Sequence, residues 1–271
     1  MDSLRSLALA HLAIADATHK CERVRATAWA AMPIDAGTTL AEPPGLPGRP
    51  ARPALVLPAQ LPKRTLGSRE GRGALIHALA HIELNAVNLA LDIVWRFPAL
   101  PDDFYRDWIG VALEEASHFQ LLQGHLRQLG FAYGDFDAHD GLWEMAARTA
   151  DDVLARLALV ARVAEARGLD VSPELRDRFA AAGDTAAATI LQTILDDEIG
   201  HVGIGSRWFH RLCETRGLDP REVHRTFARA RGAPPRRGPF NFEARRKAGF
   251  SEDEIADLIA EDAQARVRPK N

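Results

Sequence analysis

Cysteine is almost absent. Only Cys21 and Cys213 occur in 271 residues, far apart and in no C-x-x-C pair, which excludes a disulfide framework and a thiolate-built zinc site. Tyrosine is as scarce, with Tyr105 and Tyr133 alone. No excess of one charge exists either: a formal net charge of −3 gives no global attraction to nucleic acid or to a membrane surface. No uninterrupted apolar run approaches the roughly 20 residues of a spanning helix. The N-terminal MDSLRSLALAHLAIADATHK mixes charge with apolar residues instead of presenting a secretory core. A soluble chain in a reducing cytoplasm is the expectation. Segments with strand-like alternation are also missing, so the predicted fold class is all-α.

What is present is 46% hydrophobic residues, ample for a buried core. Three regions are expected. Residues 1–70 hold an amphipathic helix or two up to Ala31, then a proline-rich strap opening at Pro33, with Leu55, Val56, Leu57 and Leu61 as its anchors. Residues 71–217 hold four helices. The first runs from Gly71 to Phe97 and the second, capped by Asp102 or Asp103, runs to about Leu129. FAYGDFDAHDG then reads as a long crossover, followed by a third helix from about Leu142 to Ala166, closed by Gly168. Ser172-Pro173-Glu174 reads as a restart, and a fourth helix runs from Asp184 to about Arg216. Residues 218–271 form a basic arm and a last helix, with Ser251-Glu252-Asp253-Glu254 as its capping box.

One phrase occurs twice. Glu83 is followed 32 residues later by Glu115-Ala116-Ser117-His118, and Glu165 is followed 33 residues later by Glu198-Ile199-Gly200-His201. The offsets between copies are 82 for the lone Glu and 83 for both the second Glu and the His, as a duplicated helical hairpin would leave. Residues three apart on a helix face the same way from adjacent turns. Four carboxylates and two imidazoles, one Glu from each of two helices and a Glu-x-x-His from each of the other two, are the ligands of a two-metal site inside a four-helix bundle. A buried carboxylate costs several kcal/mol without a cation, and these acids lie among Leu79, Ala86, Val111, Leu122, Ile194 and Ile204.

Another acid precedes each Glu-x-x-His, giving Glu114 and Asp197, placed to accept a hydrogen bond from the far nitrogen of a ligating His. Both could instead ligate directly, at i, i+4 to His118 and His201. Mixed carboxylate and imidazole ligands suit two iron ions, with manganese or a mixed Fe/Mn pair as the alternative. Two adjacent irons can share the electrons that reduce O₂, which needs an external donor such as a reductase partner.

The chain resembles the ferritin-like di-iron carboxylate superfamily, and within it the DUF455 family, related to the tRNA hydroxylase MiaE. The resemblance rests on HIELNAVNLALDIVWRFP, EEASHFQLL, AHDGLWE, RLALVARVAEARGLDV and DDEIGHVGIGSRWF, between about Gly71 and Pro220. It implies a ferritin-like four-helix bundle with a crossover connection, the same six ligands, and a non-haem di-iron oxidoreductase that hydroxylates a small molecule or an RNA base. Radical-forming relatives carry a Tyr four residues after the first His, where this chain has Leu122. A ferroxidase without organic substrate is the main alternative, and a peroxide-dismuting manganese protein another.

Other residues carry weaker signals. His77 and His81 point well away from Glu83 around their helix and read as surface or packing residues. His139 on the crossover is the one candidate for substrate contact. Between Arg221 and Lys247 nine Arg or Lys face only Glu222 and Glu243, with Phe227, Phe240 and Phe242 interleaved, a pattern compatible with RNA contact or with a solvated arm.

Overall fold

The structure, a computed structural model, describes residues 2–62, 64–233 and 236–267. Among them it is all-α: helices account for the regular structure, and the one β contact is an isolated parallel bridge between Leu55 and Ala138. The chain divides into two compact units, Met1–Glu144 with Arg178–Ile190, and Met145–Asp177 with Leu191–Asn271.

The first unit is built on α3 (Arg69–Arg96) and α4 (Asp102–Gln128), with α1 (Leu4–Leu12) packed on α3 and α2 (Ala17–Ala26) on α4. Ser68 caps α3 by accepting the Gly71 N–H at 3.0 Å. Pro101, with no side-chain cap, starts α4; Asp102 and Asp103 fall in its first turn, where acids favour the positive helix end. By length and composition α3 is apolar enough to cross a membrane. It instead buries His77, Glu83, Asn85, Asn88 and Asp92 along its length, the mark of a protein core helix.

The strap is held differently from its predicted anchoring. Leu55 and Leu57 are exposed, while backbone pairing fixes the segment: Val56 N–H donates to Ala138 at 2.8 Å and Ala138 N–H to Ala54 at 3.0 Å. Arg49 adds an ion pair to Asp140 at 2.7 Å. Arg5 of α1 donates to the Val94 and Trp95 carbonyls at the end of α3 and to the Asp35 carbonyl of the strap, at 3.2, 2.6 and 2.8 Å.

Lys20 is also internal. Its Nζ donates to the Gly48 carbonyl at 2.9 Å and to Asn88 Oδ1 at 2.6 Å. Burial pushes its pKa down to about 7; Cys21 opposes the fall and Arg49 adds to it. A neutral amine has two N–H donors, matched to those two acceptors. An unfolded lysine keeps its proton to about pH 10.4, so between pH 7 and 9 this side chain binds more protons unfolded than folded and its own contribution to stability rises with pH, by at most ~1.4 kcal/mol per unit. Above that window the Cys21 thiol, raised to about 12 by burial, works in the opposite sense. Urea unfolding at pH 7 and pH 9 should show the stability of the native protein changing more in favour of the folded state, on going to pH 9, than that of Lys20→Met; equal changes in both would contradict a neutral Lys20.

The second unit begins within α5 (Gly141–Arg148), and α6 (Val153–Arg156), a π-helical segment (Leu157–Glu165) and α7 (Ala166–Ala181), whose residues from Arg178 on belong to the first unit, follow as one continuous helical run. This departs from the predicted stop at Gly168 and restart at Ser172: Pro173 lies inside α7. Burial outweighs the local breakers, since Ala166, Leu169 and Phe179 are fully buried on that run. Most of α8 (Thr185–Thr215) belongs to this unit, and it crosses the π segment where Gly205 meets Ala161 so closely that a Cβ would lie 2.6 Å from the alanine methyl. α9 (Pro220–Ala230), α10 (Phe242–Lys247) and α11 (Glu252–Val267) complete it. Ala244, Ala248, Phe250, Ile255 and Leu258 pack on Ala166, Leu169, Leu195 and Val202.

Candidate metal centre

In the first unit, the antiparallel pair α3 and α4 brings three side chains together. Glu83 projects from α3, and Glu115 and His118 from adjacent turns of α4. His118 Nδ1 lies 3.2 Å from Glu83 Oε2 and 3.3 Å from Glu115 Oε2. All three are buried, at 3%, 1% and 1% exposure, among Ala80, Val87, Ala112 and Phe119. One ligand atom from each lies within 4.8 Å of the others, so the group could hold a metal ion.

The electrostatics fit a cation. Burial, with Glu115 close by, pushes the Glu83 carboxyl up to about 8. Burial alone would lower His118, but its hydrogen bonds to Glu115 and Glu83 overcome that and raise it to about 11. Without metal, the cluster is therefore balanced by protons, and a divalent ion would displace them. The donors are hard oxygens and an imidazole. Neither cysteine offers a thiolate, since burial raises Cys21 to about 12 and Cys213 to about 11. That set fits iron or manganese and not a zinc–thiolate site.

The other copy of the phrase lies in the second unit. Glu198 and His201 sit one turn apart on α8, at 7% and 1% exposure, with His201 Nδ1 3.8 Å from Glu198 Oε2. Glu165, at 9% exposure, is the last residue of the π segment and so stands inside a helical run rather than at the helix end its sequence suggested. A π segment takes an extra residue into each turn and re-aims the side chains that follow; such segments recur at functional sites. Nothing in the 3.6-residue periodicity announces it.

The remaining predicted residues are placed less uniformly. Glu114 is exposed and Asp197 half-buried. The His139 ring accepts the Gly141 N–H at 3.2 Å, a turn role, while its carbonyl lies 3.2 Å from His81 Nε2. His77 and His81 are packing residues: His77 accepts the Gly134 N–H at 2.9 Å, and His81 Nδ1 lies 2.8 Å from the Tyr133 hydroxyl. Burial lowers both to about 4. In the basic stretch, Arg221 pairs with Asp257, Arg231 with Asp151, Arg236 with Glu261, Arg245 with Asp170 and Arg246 with Glu252, at 2.6 to 2.7 Å.

A family model described as "Protein of unknown function (DUF455)" matches residues 13–256, a span that takes in all six residues of the doubled phrase. An uncharacterized protein of Haemophilus influenzae is 47% identical over 213 residues, covering 76% of this chain and 74% of that protein. No solved structure matches the chain.

Proposed function

The chain belongs to the DUF455 family, whose description assigns no activity, and from that premise we propose that it is a non-haem di-iron oxidoreductase of ferritin-like architecture, acting on an organic substrate. The observation that carries this reading is the buried Glu83–Glu115–His118 group, two carboxylates and an imidazole within ligand reach of one another in an apolar core. The doubled sequence phrase adds Glu165, Glu198 and His201 as the ligands of a second ion in the same centre.

Two bound irons would supply two of the electrons that reduce O₂, a substrate C–H bond would supply the other two as one oxygen atom enters the product and the second leaves as water, and an external donor would restore the irons. The residues of this chain do the rest. The carboxylates would hold the ions and offset their charge. His118 and His201 fix the orientation of each half-centre from α4 and α8. The buried aliphatic walls around Glu83 and Glu115 exclude water, which keeps oxidising equivalents from being lost to solvent.

The test is oxygen uptake by protein loaded anaerobically with Fe(II). An oxygenase is expected to consume O₂ for a single turnover and to continue only when an external reductant is added. Repeated oxidation of added Fe(II) with accumulation of ferric mineral would replace this reading by a ferroxidase. Absence of O₂ uptake above the rate of free Fe(II) would remove both.

A further inference from the structure

The second unit contains a cleft that the ligand phrase does not explain. α9 turns Arg221, His224, Arg225, Ala228 and Arg229 to one side, at helical spacings of three and four, and α11 presents Glu254, Asp257, Glu261 and Gln264. Between them lie two adjoining cavities of ≈ 350 and ≈ 420 Å³, which share His224, Arg229 and Arg236. Helices that meet only to pack do so through apolar stripes; these face each other with charged ones and enclose space of ligand size.

The charges in the cleft do not cancel. Glu254 holds the buried Arg162 at 2.6 Å, Asp257 holds Arg221 at 2.7 Å and Glu261 holds Arg236 at 2.7 Å. Those three pairs use every carboxylate lining the cavities and fix three guanidinium groups in place. Arg225 reaches only Asp257, already taken, at 3.9 Å. Among the described residues Arg229 and Arg237 have no carboxylate partner. His224 is buried at the floor, and burial together with Arg236 and Arg162 lowers it to about 4, so it is uncharged near neutral pH. The surplus is therefore positive. Leu159 and Val163 of the π segment also line the larger of the two cavities.

We propose that this cleft binds a small organic dianion with an apolar body, such as a phosphate monoester or a dicarboxylate. Arg225, Arg229 and Arg237 take its charged end, by the planar multi-donor recognition guanidinium groups offer, and Leu159 and Val163 take its apolar end. The site is independent of the metal centre.

Calorimetric titration of the full chain tests it, with phenyl phosphate, phthalate, inorganic phosphate and benzyl alcohol as probes. Phenyl phosphate, phthalate or both should bind at least tenfold more tightly than inorganic phosphate, with benzyl alcohol showing no binding at the same concentration; which of the two binds separates a phosphate from a carboxylate ligand. Affinity should fall with salt, be the same in metal-loaded and EDTA-treated protein, and fall at least tenfold in the double variant Arg225→Ala/Arg229→Ala. Both arginines are exposed, so the variant should keep the native circular dichroism and melting temperature, and Arg23→Ala/Arg106→Ala, at two exposed positions on α2 and α4, serves as a charge-matched control. Unchanged affinity in the double variant would overturn the proposal. So would binding that requires metal, failure of both organic dianions to bind, or binding confined to a single-stranded RNA added as a competitor.

Discussion

Glu115→Gln should take the purified, iron-loaded protein from about two metal ions per chain to fewer than one, the occupancy expected when a two-metal carboxylate centre loses a ligand. The sign of its effect on stability should also depend on whether metal is bound. In the native protein, a metal present at a hundredfold excess over its dissociation constant stabilises the fold by about 2.7 kcal/mol, and EDTA removes that increment. Gln keeps the shape of Glu115 while deleting a charge. Without metal, that deletion relieves the repulsion that helps hold the Glu83 carboxyl near 8, so metal-free Glu115→Gln should melt at or above metal-free native protein. With metal it should melt below it. Elemental analysis and paired thermal melts read both effects. Native metal content in the variant, or a metal-free variant several degrees less stable than the native chain, would contradict the placement of Glu115 among the ligands.

The second large effect lies away from the metal. Arg245→Ala should destabilise the protein by about 3–5 kcal/mol, the usual result of leaving one partner of a buried ion pair alone. Arg245 is 2% exposed. It donates through Nε and Nη2 to both Asp170 oxygens at 2.9 and 2.7 Å. It also donates to the Ala166 carbonyl at 3.3 Å and lies over the Phe240 and Phe250 rings. It thereby clamps α10 to the first turn of α7, immediately after Glu165. Asp170→Asn should cost less, because the amide oxygen still accepts from the guanidinium. The double change Arg245→Met/Asp170→Leu should recover most of the loss, since apolar pairs of similar volume replace buried ion pairs at little cost. Urea unfolding gives the three numbers. A loss below 1 kcal/mol in Arg245→Ala would show the pair to be solvent-screened rather than internal.

That arginine also shows where sequence reading stops. Arg245 sits in a stretch that looks like a solvated or phosphate-binding arm, and its partner lies 75 residues away, beyond any local pattern. The same holds for Arg5, two of whose acceptors are the Val94 and Trp95 carbonyls, 89 and 90 residues on. By contrast α3 and α4 were legible to within about two residues at each end, because apolar periodicity acts over a few residues. The breakers Gly168 and Pro173 misled for a physical reason. A proline inside a helix costs ~3 kcal/mol or more, yet the burial of Leu169 and Phe179 on either side offsets it. The π segment ending at Glu165 left no sequence trace, although spacing alone had singled out Glu165 itself. The strap was read as anchored by leucines that turn out to be exposed, since backbone hydrogen bonds to Ala138 hold it instead.

The most direct test of the central claim is anomalous diffraction at the iron edge from crystals of Fe(II)-loaded protein. Two anomalous peaks per chain are expected, both within ligand distance of side chains drawn from Glu83, Glu115, His118, Glu165, Glu198 and His201. A single peak, or peaks that contact none of the three buried residues Glu83, Glu115 and His118, would contradict the claim.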